Sequence, residues 1–344
     1  MTNRFRRAAL GALLLTAAAT APAMAAPLYQ LVHTVNLGGS TAWDYVNLDG
    51  KQQLVFISHG TEETVVSTAS NKVVGTLKGL DGSHNVAVDP ATGYIWGDAR
   101  KTNEVIAFSP KTFKPVAHVA IPGGADGMTY DKASKTIFIA AGSTQGVIAV
   151  DPATQTAYPE ISVGTGVESL VADGKGNLFV ALPKANEIAR IDTKTRQVTA
   201  TWPTTGCTSP TGMALDKKKG LVFTSCHSGT MDVLNADTGA VVATLPIGMG
   251  TDSAAFDGKL HRAFSSNRDG TLSVIDDSGA TPVALGNVPT MPGARTMAVD
   301  PKTGDVYTVT AQIASTTPPA TPGGKPKVTY VPGSLELLVY APSA

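Results

Sequence analysis

A short pattern of alternating apolar and small residues, ended by an aspartate, recurs along the chain. Two of its copies are Asn85-Val86-Ala87-Val88-Asp89 and Gly212-Met213-Ala214-Leu215-Asp216. The terminal aspartates are Asp49, Asp89, Asp131, Asp173, Asp216, Asp257 and Asp300, at intervals of 40, 42, 42, 43, 41 and 43 residues. Alternation of this kind is typical of a β-strand, and the even spacing indicates a repeat protein.

Each copy continues with three further short apolar segments, separated by turns rich in Gly, Pro and Asp. Examples are residues 221–225 for a second strand, 271–275 for a third and 240–245 for a fourth. Helical periodicity is absent. Four short strands per 40 to 43 residues are typical of a β-propeller blade. The chain is therefore predicted to be all-β, a seven-bladed β-propeller with four antiparallel strands per blade.

The two ends of the repeat region complement each other. The seventh copy stops after its third strand, residues 334–340, and residues 29–35 form an orphan strand before the first copy. We expect this N-terminal strand to complete the last blade and close the ring, which leaves no open blade edge.

The first 25 residues resemble a signal peptide rather than part of the fold. Arg4, Arg6 and Arg7 precede an alanine-rich apolar run over 8–21, and Ala23-Met24-Ala25 fits a cleavage site. The apolar run is too short for a membrane anchor. We therefore expect residues 1–25 to be removed and 26–344 to form one propeller domain, exported to the periplasm or secreted.

Two segments of the repeat resemble the YVTN-repeat, or YncE-like, β-propellers. They are the stretches at 241–248 and 270–276, and Val306-Tyr307-Thr308-Val309-Thr310 is close to the motif that names the family. The resemblance covers the whole of 26–344 and implies an exported seven-bladed propeller. Related seven-bladed families include lactonases and muconate-type cyclases, so the fold alone does not choose a function.

Charge and cysteine content narrow the function classes. The full chain has 27 basic and 27 acidic residues. Loss of the three arginines of the signal peptide leaves 24 basic and 27 acidic residues, a net charge of −3. This balance argues against nucleic-acid binding, which needs a basic face. In an oxidising compartment we expect Cys207 and Cys226 to form a disulfide. A soft-metal site at Cys226 and His227 lacks further ligands. No later segment is apolar enough to span a membrane, and we expect a monomer.

The position five residues before each repeat aspartate is rich in charge. Because blades are related by rotation, one repeat position forms a ring around one mouth of the central channel. That ring consists of Asp44, His84, Asp126, Glu168, Thr211, Asp252 and Arg295. Six of these seven residues are ionisable, whereas charged residues make up only 16% of the whole chain. We therefore expect a ligand-binding site at this mouth, with Trp43 as an aromatic wall.

Three hypotheses compete for the ring, because four carboxylates repel each other unless a proton, a cation or Arg295 offsets them. The first is a solvated polar rim around a water-filled channel. The second is a Ca²⁺ or Mg²⁺ site with Asp44, Asp126, Glu168 and Asp252 as oxygen ligands. The third is a catalytic site, with His84 and Glu168 as acid and base and Arg295 binding a carboxylate or an oxyanion.

Loops at the same mouth add further candidates. We expect loop positions there for His59, Asp98, Arg100, Cys226, His227, Asn267 and Arg268. The long Pro/Gly-rich segment at 313–333 in the last blade is expected to be extended and mobile, serving as a lid, a docking arm or a tolerated insertion. The residues predict a module that binds a small ligand or a partner protein. The alternative is a lactonase- or cyclase-type enzyme, assisted by a divalent cation.

Overall fold

The computed structural model describes residues 28–319 and 326–343. The predicted signal peptide lies outside the described residues. These residues form strands and turns. Within the two ranges, no helix is long and apolar enough to cross a membrane.

The strands follow one another in chain order. The first ten are β1 (Tyr29–Asn36), β2 (Trp43–Asp49), β3 (Leu54–His59), β4 (Glu62–Ser67), β5 (Lys72–Lys78), β6 (Val86–Val88), β7 (Ile95–Ala99), β8 (Glu104–Phe108), β9 (Pro115–Ala120) and β10 (Ala125–Asp131). The next eleven are β11 (Thr136–Ala141), β12 (Gly146–Asp151), β13 (Thr156–Ala157), β14 (Ile161–Ser162), β15 (Leu170–Ala172), β16 (Asn177–Leu182), β17 (Glu187–Asp192), β18 (Gln197–Pro203), β19 (Pro210–Asp216), β20 (Leu221–Cys226) and β21 (Thr230–Asn235). The last ten are β22 (Val241–Pro246), β23 (Thr251–Asp257), β24 (Arg262–Asn267), β25 (Thr271–Asp276), β26 (Val283–Pro289), β27 (Met297–Val299), β28 (Val306–Thr310), β29 (Ile313–Thr317), β30 (Lys327–Tyr330) and β31 (Glu336–Pro342).

All of these strands except β29 and β30, which pair only with each other, form seven antiparallel blades, as predicted. Six blades follow chain order from the channel outward: β2–β5, β6–β9, β10–β14, β15–β18, β19–β22 and β23–β26. In the third blade the outer strand is split into β13 and β14, which both pair with β12. The chain is a seven-bladed β-propeller.

The seventh blade confirms the predicted closure. Its strand order is β27-β28-β31-β1, so the first strand of the chain pairs with the last. The register runs from Tyr29 opposite Pro342 to Asn36 opposite Glu336. Val35 in this strand is 8% exposed, whereas Leu31 is 48% exposed. The closing strand is therefore held both by backbone hydrogen bonds and by burial of one face.

The repeat aspartates stabilise the turn between the first and second strands of every blade. Each carboxylate accepts a hydrogen bond from a backbone N–H two or three residues later, for example Lys51 N to Asp49 at 2.8 Å and Lys302 N to Asp300 at 2.8 Å. Side-chain capping of this kind favours a tight turn. Four residues after the aspartate, Gly93, Gly220 and Gly304 have φ of 76°, 67° and 83°, which glycine adopts without strain.

An aromatic residue on each second strand fills the space between blades. Every one pairs with a short side chain on the first strand, as Trp96 does with Ala87 and Phe223 with Ala214. The seven are Phe56, Trp96, Phe138, Phe179, Phe223, Phe264 and Tyr307, all 2% exposed or less. This large-to-small pairing packs neighbouring blades and holds the inner strands around the channel.

Candidate functional site

The ring residues lie where the innermost strands begin. Asp44, Asp126, Thr211 and Asp252 are near the start of β2, β10, β19 and β23. His84, Glu168 and Arg295 come two residues before β6, β15 and β27, whose ladders are only three residues long. Backbone hydrogen bonds join neighbouring blades at this level, from Tyr45 N to His84 O at 3.1 Å and from Asp252 N to Arg295 O at 3.2 Å.

Asp252 is the centre of a cluster of ion pairs. Its carboxylate lies 3.0 Å from His227 Nε2, 3.0 Å from Arg268 Nη2 and 2.5 Å from Arg295 Nε. Burial raises the pKa of this carboxyl, but the hydrogen bond from His227 and the two arginine charges outweigh it and hold the pKa below its ordinary value. Asp252 is therefore an ionised anchor for two arginines.

Arg295 is already committed to protein partners. Besides the ion pair with Asp252, its Nη2 donates to the carbonyl of Trp43 at 2.7 Å, and its guanidinium lies 5.1 Å from the Trp43 ring centroid. Arg268, by contrast, is 50% exposed at its side chain. Arg268 also pairs with Asp252 but is the more accessible of the two arginines, and the predicted ligand-binding role of Arg295 stays a prediction.

His84 is held by two side chains of its own blade, Asp98 in β7 and Arg100 in the turn that follows. Its Nδ1 lies 3.3 Å from Asp98 Oδ2, and Asp98 Oδ1 accepts the backbone N–H of His84 at 2.7 Å and of Asn85 at 2.8 Å. On the other side, Arg100 Nη1 is 3.1 Å from His84 Nε2. Asp98 is completely buried. It therefore fixes the orientation of the imidazole.

The charge state of His84 is set by competing effects. Burial lowers its pKa, but the hydrogen bond and charge of Asp98, followed by the charges of Asp126 and Asp44, raise the pKa to about 9. The contact from Arg100 to Nε2 suits the neutral ring, so protonation requires Arg100 to move away. Arg100 is 37% exposed and has room to do so.

Three ring carboxyls have raised pKa values. Burial raises the pKa of Asp44 to about 6, with Arg295 and His84 opposing part of the rise. Burial, then the charges of Asp252 and Asp44, raise the pKa of Glu168 to about 7. The pKa of Asp126 is also raised, by burial and by Glu168. Partial protonation therefore relieves part of the repulsion among these three carboxyls.

A pocket of 550 Å³ opens at this mouth. Ring residues Asp44, His84 and Arg295 line it together with Trp43 and Arg268. Trp43 itself is 4% exposed, because Arg295 covers one side and Tyr330 packs against it with ring centroids 4.8 Å apart. Trp43 is thus a buried support for the pocket rather than the open aromatic wall that we expected.

The segment at 313–333 differs from the expected extended loop. Its ends pair as the hairpin β29–β30, with Ile313 opposite Tyr330 and Thr317 opposite Lys327, because β-branched residues line both strands. Residues 320–325 lie outside the described ranges. Tyr330 lines the mouth pocket, a role that its position in a Pro/Gly-rich segment did not signal.

Several residues expected on mouth loops are in fact buried strand ends. His59, Asp98, Cys226 and Asn267 are no more than 1% exposed and belong to β3, β7, β20 and β24. Arg100, His227 and Arg268 do lie in the turns that follow. Thr211 is buried and donates to the carbonyl of Thr251 at 3.0 Å, so it holds two blades together and does not face a ligand.

No preformed divalent-cation site is present among the described residues. Among them, no group of three or more His, Cys, Asp or Glu side chains is arranged to hold a metal ion. Asp252 is neutralised by Arg268 and Arg295, and His84 lies 3.8 Å from Asp44. Positive side chains therefore take the place that a cation would occupy, and the Ca²⁺ or Mg²⁺ hypothesis stays a prediction without geometric support.

The catalytic hypothesis receives mixed support. The pKa of Glu168 near 7 suits a group that exchanges protons at neutral pH. Within the described residues, however, no hydrogen bond joins His84 to Glu168, and Arg295 is engaged by Asp252 and Trp43. The proposed roles of these three residues remain predictions.

The predicted disulfide is present. Cys207 and Cys226 are joined, with Cα atoms 5.4 Å apart and a sequence separation of 19. Cys226 ends β20 next to His227, which contacts Asp252. The bond therefore ties the loop before β19 to the strand that carries one side of the Asp252 cluster.

Two buried groups behind the pocket escaped the sequence analysis. Glu63 in β4 is completely buried, accepts hydrogen bonds from Ser58 at 2.6 Å and Ser83 at 2.5 Å, and has its pKa raised by burial to about 8. Tyr45 in β2 is 8% exposed and lines the channel below the ring. No local signal pointed to Glu63, because it stands beside Glu62 at the polar start of β4.

Comparison with known proteins supports the fold alone. No protein-family model and no curated protein sequence matches the chain. Among solved structures, a chain of Kuenenia stuttgartiensis hydrazine synthase superimposes with a TM-score of 0.70, over 86% of this chain and 97% of that chain, at 12% identity. The protein is thus of the β-propeller class, with a polar pocket at one channel mouth. This fold is compatible with an interaction module.

Proposed function

We propose that the chain is an interaction module that binds a small ligand, or a segment of a partner protein, at the mouth pocket. The observation that carries the proposal is the convergence of Asp44, His84 and Arg268 from three blades around one 550 Å³ pocket. The volume of this pocket lies within the range of about 300–1,000 Å³ that is usual for small-molecule sites. The same propeller face is a common place for recognition because loops from every blade meet there.

The charges lining the pocket select the ligand class. Arg268 is half exposed and presents positive charge. The imidazole of His84 is 20% exposed with a raised pKa, and it adds a second positive charge once Arg100 has moved away from Nε2. Asp44 offers a carboxyl between them. A compact carboxylate that also carries a hydroxyl or amino group would match these donors and this acceptor. We infer that such acids, free or as part of a partner, are the ligands.

The resemblance to YVTN-repeat propellers and the disulfide agree with an exported protein. Disulfides persist in oxidising compartments, and Cys207–Cys226 ties down a loop at the mouth. We therefore propose that the pocket meets ligands in the periplasm or outside the cell.

A ligand screen by thermal unfolding tests the proposal. Small hydroxy- and amino-carboxylates, amines and neutral sugars are each added to the wild-type protein and to Asp44→Asn and Arg268→Gln variants. We expect carboxylates alone to raise the unfolding temperature, and Arg268→Gln to abolish that rise. The control Lys78→Gln removes one exposed positive charge at the end of β5. No rise with any compound, or an equal rise in all variants, contradicts the proposal.

The second candidate is a lactone hydrolase or cyclase, favoured by the raised pKa of Glu168 in the ring. It predicts turnover of a γ-lactone or chromogenic ester panel that Glu168→Gln abolishes while the unfolding temperature stays unchanged. Saturable carboxylate binding without turnover of any panel member favours the binding module instead.

A further inference from the structure

The face opposite the pocket carries an exposed ring of lysines around the channel exit. The turns that connect first and second strands lie there, at 49–53, 89–93, 131–135, 173–177, 216–220, 257–261 and 300–304. Nine lysines occur in these turns: Lys51, Lys132, Lys135, Lys175, Lys217, Lys218, Lys219, Lys259 and Lys302, all exposed. These seven turns contain no arginine. We call this set the lysine ring.

The negative charges of the same turns point away from solvent. The seven repeat aspartates are buried or half-buried and turn their carboxylates toward backbone N–H groups. Asp131 and Asp257, for example, are completely buried. In these seven turns the lysines are exposed while the repeat aspartates turn inward, so the turns present positive charge to solvent. Local charge segregation of this kind attracts anionic partners.

Hydrogen bonds between blades hold several of these ammonium groups in place. Lys175 Nζ donates to Lys217 O at 3.0 Å, and Lys259 Nζ donates to Lys302 O at 2.9 Å. Lys302 Nζ donates to Gly50 O at 2.5 Å, and Lys219 Nζ pairs with Asp277 Oδ1 at 3.0 Å. Each ammonium has three donors, and Lys175, Lys259 and Lys302 use one each in these bonds, so donors remain there for a partner. Lys219 uses all three on Asp277 and Gly279 and serves to order the ring.

A cavity of 590 Å³ opens beside the ring, between the first three blades. Lys51 and Pro90 lie at its rim, and apolar side chains, among them Phe56, Val88 and Tyr130, line its interior. The cavity is large enough for an aromatic side chain. It is separate from the mouth pocket, with which it shares no lining residue.

We propose that this face binds an acidic peptide segment of a partner protein, whose carboxylates meet the lysine ring while an apolar side chain enters the cavity. Lysine ammonium groups are mobile point charges that suit carboxylates spread along a flexible segment. Nucleic acid fits less well, because the seven turns offer neither arginine for bidentate phosphate contacts nor an aromatic side chain for base stacking.

Fluorescence anisotropy with the full chain tests this inference. The probe is a fluorescein-labelled glutamate-rich peptide with one central Phe, and matched probes replace that Phe with Ala or the Glu residues with Lys. We expect saturable binding of the Glu/Phe probe that weakens as salt rises. The Phe→Ala probe should bind several-fold more weakly, and the lysine probe should not bind.

A triple variant locates the surface. Lys132→Gln/Lys217→Gln/Lys218→Gln removes three ring charges whose ammonium groups make no hydrogen bond within the described residues, so the fold should be retained. We expect about tenfold weaker probe binding. The control Lys78→Gln/Lys184→Gln/Lys327→Gln removes three exposed lysines away from the ring face and should bind the probe like the wild type.

Three outcomes overturn the inference. One is absence of binding by the Glu/Phe probe at low salt. Another is equal weakening in the ring variant and the control variant, which would show a general charge effect. The third is tighter binding of a duplex DNA probe that displaces the peptide, which would make the face a nucleic-acid surface. Carboxylate binding at the mouth pocket is measured separately, so either proposal can fail alone.

Discussion

The phenol ring of Tyr330 packs edge-on against the indole of Trp43, with ring centroids 4.8 Å apart. This contact joins the end of hairpin β29–β30 in the last blade to the first strand of the first blade. It is the point at which the inserted hairpin is attached to the wall of the mouth pocket.

Replacing Tyr330 by Ala should release the hairpin. An aromatic pair of this kind contributes about 0.5–1.5 kcal/mol, so the open population should rise by about 2- to 12-fold. Tryptic cleavage after Lys327 under native conditions measures it. Tyr330→Phe keeps the ring contact and should be cleaved like the wild type. Equal cleavage of the Ala and Phe variants would show that the contact does not hold the hairpin.

Stability should fall as pH rises from about 5 to about 9. His84, Asp44, Glu63 and Glu168 all have folded pKa values above their ordinary values. A group of this kind contributes stability that is full below its unfolded pKa and is lost as pH rises through its folded pKa. Urea unfolding across this range measures the slope. A flat profile would contradict the raised values.

Glu63→Gln should reduce that alkaline loss. The amide keeps an oxygen to accept from Ser58 and Ser83 but cannot ionise, so on the order of 3 kcal/mol of the pH-dependent loss should disappear. The variant should be more stable than the wild type at pH about 9 and similar at pH about 5. Glu62→Gln, one residue earlier on the same strand and less buried, is the control and should retain the wild-type profile.

Asp98→Asn should lower the pKa of His84. Asparagine still accepts the backbone N–H of His84 and Asn85, but it removes the negative charge that faces Nδ1. The pKa of His84 should fall from about 9 toward its ordinary value, by about 1–2 pH units. NMR titration of the imidazole protons measures the pKa of His84. His118, an exposed residue of the outer strand β9, serves as the internal control. An unchanged His84 titration would remove Asp98 as the cause.

Loss of the disulfide should cost about 3 kcal/mol, the loop-closure entropy of a 19-residue separation. The Cys207→Ala/Cys226→Ala variant should therefore unfold at lower urea concentration than the oxidised wild type. Reduction of the wild type with dithiothreitol should produce a comparable change. A difference below about 1 kcal/mol would show that the loop is held by other contacts.

The closing strand β1 can be tested with two matched truncations. Val35→Ala removes buried methyl groups between blades and should destabilise by about 1–2 kcal/mol. Leu31→Ala removes a larger but exposed side chain and should change stability by less than about 0.5 kcal/mol. Equal effects in urea unfolding would mean that β1 is not packed in the last blade as described.

The blade count, the closure by the N-terminal strand and the disulfide were predictable from the sequence. Alternation and turn residues are local signals, and a repeat presents them seven times, so each copy supports the others. The placement of the ring residues at one channel mouth was also predictable, because rotation relates the blades and puts the same repeat position of each blade at the same level. What each ring residue contacts did not follow, as Arg295 and Thr211 show.

The pairing of side chains depended on the tertiary structure. Arg295 donates to the carbonyl of a residue 252 positions earlier, and Asp252 collects charges from three separate segments. Asp98 and His59 are charged or polar residues that strand packing buries, although their sequence context resembled a loop. The lysine ring likewise exists only because the turns of six different blades converge on one face. Sequence determines strands and turns through local chemistry. The closure of the ring decides which distant side chains meet, because burial and Coulomb interactions act across space rather than along the chain.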